Sequence, residues 1–143
     1  FGGGKSIDLC DLQSIIKNKE IEFIDLQYGD TAEDINNLKN KHNLEITKIP
    51  NLDLMNDFEK ISALLVNLDL FVTVSNSTAH LAGALNVPTI LIKPKSYALF
   101  HYWSQPNNTT PWYPSIKMIE QENNKDEFIK KLEKIIFEEL DKN

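Results

Sequence analysis

The run Leu68-Asp69-Leu70-Phe71-Val72-Thr73-Val74-Ser75-Asn76-Ser77-Thr78-Ala79-His80-Leu81-Ala82-Gly83-Ala84-Leu85 decides the fold. Residues 70–74 are β-formers with apolar side chains on both faces, which predicts a parallel strand at the centre of a sheet. A small polar turn, Ser75 to Thr78, leads directly into a helix over residues 79–85. Ala79, Ala82 and Gly83 would let that helix sit close to the sheet. Asn86 can end it in the left-handed conformation. Pro88 then opens another strand over residues 89–92.

The same alternation extends in both directions. Asp8 can cap a helix whose apolar face is Leu9, Leu12, Ile15 and Ile16. Residues 21–26 read as a strand closed by the turn Gln27-Tyr28-Gly29-Asp30. Asp30 with Glu33 has capping-box spacing, and Ile35 and Leu38 continue that helix. A short strand is expected over residues 46–49. Asn56 with Glu59 repeats the capping-box spacing ahead of a stripe of Phe58, Ile61, Leu65 and Leu68. Residues 116–119 read as a last strand. Residues 126–140 read as a helix with Phe128, Ile129, Leu132, Ile136 and Leu140 on one side. The long segment 93–115 carries Tyr97, Phe100, Tyr102, Trp103, Trp112 and Tyr113, which suit packing of an ordered loop. Strands alternating with helices imply a Rossmann-like, three-layer α/β domain with a mostly parallel sheet, here one domain over residues 1–143.

Bulk properties limit the function classes. The chain has 143 residues, a formal charge of -6 and one cysteine, Cys10. An acidic chain has no basic surplus to displace counterions, so nucleic acid is not the expected partner. A single cysteine allows no intrachain disulfide, and a cytoplasmic location is the simplest expectation. The longest apolar runs are strand-sized, so no membrane span is expected.

The chemistry is expected at the turn. The first amides of a helix lack intrahelical partners and carry the positive end of its dipole. Small residues let an anion approach them, at the strand end where open α/β sheets bind ligands. The plainer alternative is an N-cap by Asn76 or Ser77 with no ligand. His80, in the first turn, is either a packing residue or a hydrogen-bond donor to a phosphate or sugar.

The run from Leu68 to Leu85 resembles the C-terminal domain of bacterial heptosyltransferase-like glycosyltransferases. It is most similar to the branch often joined to tetratricopeptide repeats and related in fold to O-GlcNAc transferase. Other matching pieces follow in order: Lys5-Ser6-Ile7, Leu26-Gln27-Tyr28-Gly29-Asp30, Asp57-Phe58, and Trp112-Tyr113-Pro114-Ser115 with Gln121. The resemblance implies the C-terminal half of a GT-B fold that binds the nucleotide diphosphate of a sugar donor. It implies that Asn76, Ser77, Thr78 and His80 hold the diphosphate. Lys5 matches a basic position that pairs with phosphate, and Gln27 and Asp57 fall where ribose and base contacts are expected. Ser75 stands where heptosyltransferases often have Asp, which makes heptose a poor expectation for the donor sugar.

Each of these residues also has a structural reading. Lys5 could be a solvated surface lysine, Gln27 a strand-end cap, and Asp57 a helix-start residue favoured by the dipole. Sugar transfer requires the leaving diphosphate to be stabilised, by a metal or by oriented donors. With no Asp-x-Asp signature and no clustered His/Cys spacing, the expectation is metal-free donor binding with no cofactor. The general base is expected from an N-terminal acceptor domain, so the 143-residue chain alone is expected to transfer no sugar. Two other functions fit the same fold: a non-catalytic interaction or scaffold domain beside helical repeats, and part of a sugar-nucleotide epimerase.

Overall fold

The computed structural model describes residues 7–94, 103 and 106–142. The chain divides into two compact units, Ile7–Ile61 and the described residues from Ser62 onward. Both are built from helices alternating with parallel strands. The fold is α/β and Rossmann-like, as the sequence predicts.

In the unit Ile7–Ile61, the Asp8 carboxylate accepts from the Cys10 amide at 2.8 Å. This cap starts a 3-10 turn, Leu9–Leu12, that continues into α1, Gln13–Ile16. Strand β1, Ile24–Asp25, pairs in parallel with β2, Thr47–Lys48, and α2, Ala32–His42, lies between them in the chain. Both strands are shorter than the apolar runs predict. Leu9, Ile16 and Leu38 form the core, with Leu12, Phe23, Ile35, Leu44 and Ile46 packed against them.

Neither predicted capping box forms. The residue at the N-cap of α2 is Thr31, with no side-chain cap bond. Its hydroxyl instead donates to Asp25 Oδ2 at 2.6 Å. Asp30 Oδ1 accepts from the Ala32 amide at 3.0 Å, a turn contact one step before the helix. At α3, Phe58–Leu65, Asp57 Oδ1 accepts from the Lys60 amide at 3.1 Å, so Asp57 and not Asn56 supplies the cap. Asn56 Nδ2 turns back to donate to Asp53 Oδ2. Ile61 and Leu65 are buried, but Phe58, predicted to join them in the stripe, is 57% exposed.

In the second unit, β3 (Phe71–Val74), β4 (Thr89–Lys93) and β5 (Ile116–Glu120) form a parallel sheet in the order β3-β4-β5. This corrects the expectation for residues 70–74. The central strand is β4, buried at all five positions, whereas β3 is at the edge of the described sheet and Val72 is 37% exposed. A doubly apolar run does not by itself distinguish a central strand from an edge strand.

Helix α4, Ser77–Ala84, begins two residues before its predicted start. It ends as predicted through Asn86, at φ 56°. The Asn86 and Val87 amides bond to the carbonyls of Gly83 and Ala82, the pairing of a Schellman stop. Helix α5, Lys125–Leu140, is capped by Asn124 and buries Phe128, Ile129, Leu132 and Ile136. Ala79, Leu91, Trp103, Ile116 and Met118 form one core cluster, with Tyr113 packed on it. Among the described residues no helix is long and apolar enough to cross a membrane.

Candidate functional site

At the carboxyl end of β3, Asn76 ties the turn together. Asn76 is extended and occupies the N-cap of α4, its Oδ1 accepting from the Ala79 amide at 2.9 Å. Its Nδ2 donates to Thr73 Oγ1 at 3.1 Å, which ties the helix start back to the strand. Thr78 and Ala79 are buried, Ser75 and Asn76 half-buried, and Ser77 is exposed. The structure therefore brings Ser75, Asn76, Ser77, Thr78 and His80 together on one turn. It also narrows the expected anion contact. The Ala79 amide, one of the first amides of the helix, is engaged by the Asn76 cap.

His80 is set one turn into α4 against aromatic residues from the loop after β4. Its Nδ1 and the Tyr113 hydroxyl share a hydrogen bond of 3.0 Å. Its ring centroid is 4.9 Å from that of Trp103 and 5.6 Å from that of Tyr113. Partial burial pushes the His80 pKa below its ordinary value, favouring the neutral ring. Trp103 is fully buried, in keeping with the packing role read from the sequence. Trp112 is 61% exposed, so among the described aromatics of this segment Trp103 and Tyr113 are the ones packed on the core, while Tyr97, Phe100 and Tyr102 lie outside the described residues. The approach that Gly83 permits is also different from the one expected. A Cβ there would fall 2.9 Å from Tyr113 Cβ and closer still to its ring, so the close neighbour is Tyr113. The sequence signal for Tyr113 was its place in the Trp112–Ser115 block, but spacing could not pair it with His80.

Gln27 and Asp57 belong to the other unit. There an open cleft of about 340 Å³ is lined by Asp25, Gln27, Gly29, Lys48 and Asp53, with apolar walls that include Leu52 and Met55. Asp25 is buried at the end of β1 and organises one side of the cleft. Its Oδ1 accepts from the Gln27 amide at 3.0 Å and from Gln27 Nε2 at 3.1 Å, while Oδ2 accepts from Thr31. Lys48, at the end of β2, donates to Thr31 Oγ1 at 3.2 Å. Asp25 and Lys48 were not singled out from the sequence. A lone Asp or Lys at a strand end carries no spacing signal.

Asp57 does not line that cleft. It caps α3 and pairs with Lys60 at 2.7 Å. The hydrogen bond from the Lys60 side chain, then that from its amide, holds the Asp57 carboxyl below its usual range. Its geometry is that of a helix-start residue. Lys5 lies outside the described residues. Among the described residues no three His, Cys, Asp or Glu side chains are grouped to hold a metal ion.

No family model matches the chain, and no solved structure matches it. The chain is similar to Protein FlbA of Caulobacter vibrioides, with 31% identity over 106 residues. That alignment covers 73% of this chain and 17% of the relative, so the chain spans only a small part of that protein's length.

Proposed function

We propose that this chain binds the nucleotide diphosphate of a sugar donor, without a metal, as the C-terminal half of a GT-B glycosyltransferase. One observation carries the reading. A parallel strand runs into a turn of small residues whose helix start is fixed by Asn76, with His80 one turn further on. Amides at a helix N-terminus favour anions through both hydrogen bonding and the dipole. In glycosyl transfer the same donors would stabilise charge developing on the departing diphosphate. A neutral His80 adds a donor with no charge to desolvate. Ser75 is short and neutral, which suits a donor sugar other than heptose.

The rival is a non-catalytic interaction domain that keeps the fold. It draws support from the Asn76 cap and the His80–Tyr113 bond, both of which serve structure as well as ligand binding. Ser77→Asp separates the two. Ser77 is exposed at the first position of α4, where an acidic residue suits the helix dipole, so folding is retained. The added charge repels a diphosphate at the neighbouring amides. The proposal expects nucleotide affinity to fall roughly tenfold or more. Unchanged affinity would remove the helix start from the site.

A further inference from the structure

We infer that Tyr113 is a positioning residue for His80: its hydroxyl donates to Nδ1, which fixes the ring proton on Nε2 and makes that nitrogen a neutral donor. The inference rests on the proposed function only for what Nε2 donates to, a phosphate oxygen. The geometry supplies the rest. Tyr113 Oη and His80 Nδ1 are 3.0 Å apart. A neutral imidazole has one accepting and one donating nitrogen. A phenol is the better donor and an imidazole nitrogen the better acceptor, so the proton between them belongs to the oxygen.

The rest of the packing is arranged around that bond. His80 and Gly83 are three residues apart on α4 and so share a helix face. The Tyr113 ring fills the space that a side chain at position 83 would need. Trp103, fully buried, lies against the His80 ring at 4.9 Å. A ring held on two sides and bonded at Nδ1 has a defined orientation and a defined tautomer.

The test is nitrogen NMR of the imidazole rings in the full chain at about pH 8, where an ordinary histidine is neutral. The His80 signals are identified by their loss in His80→Gln. The inference expects a single tautomer in the parent, Nε2 protonated and Nδ1 an acceptor. In Tyr113→Phe, which keeps the ring and its packing, it expects a shift of the Nδ1 signal towards that of an unbonded ring. A parent with Nδ1 protonated would overturn it. Titration with UDP, ADP and GDP supplies the second readout. Tyr113→Phe should weaken binding roughly tenfold, and should add nothing when His80 is already Gln. If His80→Gln weakens binding and Tyr113→Phe does not, the positioning role is overturned. If the parent binds no nucleotide, the donor-binding reading fails, while the spectrum still decides the tautomer.

Discussion

The Tyr113 ring occupies the volume that a side chain at position 83 would fill, so Gly83 is the residue that lets Tyr113 pack against α4. Alanine is the better helix former by about 1 kcal/mol. Here that gain is outweighed, because the collision involves Tyr113 Cβ and the near edge of its ring and not a flexible tip. Overpacking costs about 1–3 kcal/mol. Gly83→Ala is therefore expected to lower the urea midpoint, and a raised midpoint would show that the loop yields at no cost.

Asn76→Ala removes both the cap of α4 and the bond to Thr73. The loss expected from the cap is about 1 kcal/mol. Asn76→Asp keeps the oxygen that accepts from Ala79 and adds charge compatible with the dipole. Denaturation should order the three proteins with parent and Asp close together and Ala least stable. Equal stability of the Ala variant would mean that the turn is held by other contacts.

Asp25 gives a similar test in the other unit. It is buried and accepts from the Gln27 amide, the Gln27 side chain and the Thr31 hydroxyl. Asp25→Ala leaves those donors without their acceptor, at a cost of about 1.5–3 kcal/mol for a single charged hydrogen bond. Hydrogen exchange should quicken at Gln27. Exchange unchanged there would mean that Asp25 does not order the cleft wall.

How far the sequence was legible depended on whether a feature is local. Asp8, Asn86 and the apolar face of α5 act over a few residues, and each is found where its spacing predicts. The two capping boxes failed for local reasons: Asp30 stands one residue ahead of the N-cap and accepts from the Ala32 amide, and Asn56 turns to Asp53. The rank of β3 in the sheet depends on which strands flank it, which the run 70–74 does not encode. At the candidate site, the Asn76 turn and His80 were visible as a strand–turn–helix pattern. Tyr113 is 33 residues further on, and Asp25 and Lys48 are brought together by the β1–β2 register and share Thr31, so these contacts needed the fold.

Partial burial lowers the His80 pKa, so the folded chain holds that proton less tightly than the unfolded chain. The unfolded state then binds more protons in the window just below the ordinary value of 6.5. Stability should therefore fall as pH drops through that window and level off below the folded pKa. The urea midpoint followed from neutral to mildly acidic pH should show the slope, and His80→Gln should reduce it. An identical slope in that variant would assign it to other groups.

The most direct test of donor binding is calorimetric titration of the chain with UDP, ADP and GDP in the presence of EDTA. The account predicts saturable binding of at least one nucleoside diphosphate with the metal removed, because helix amides and a neutral histidine serve as the donors. Affinity should weaken with added salt, as expected for two phosphates at a partly exposed helix end. Absence of binding for all three nucleotides, or binding that appears only when a divalent metal is restored, would contradict it.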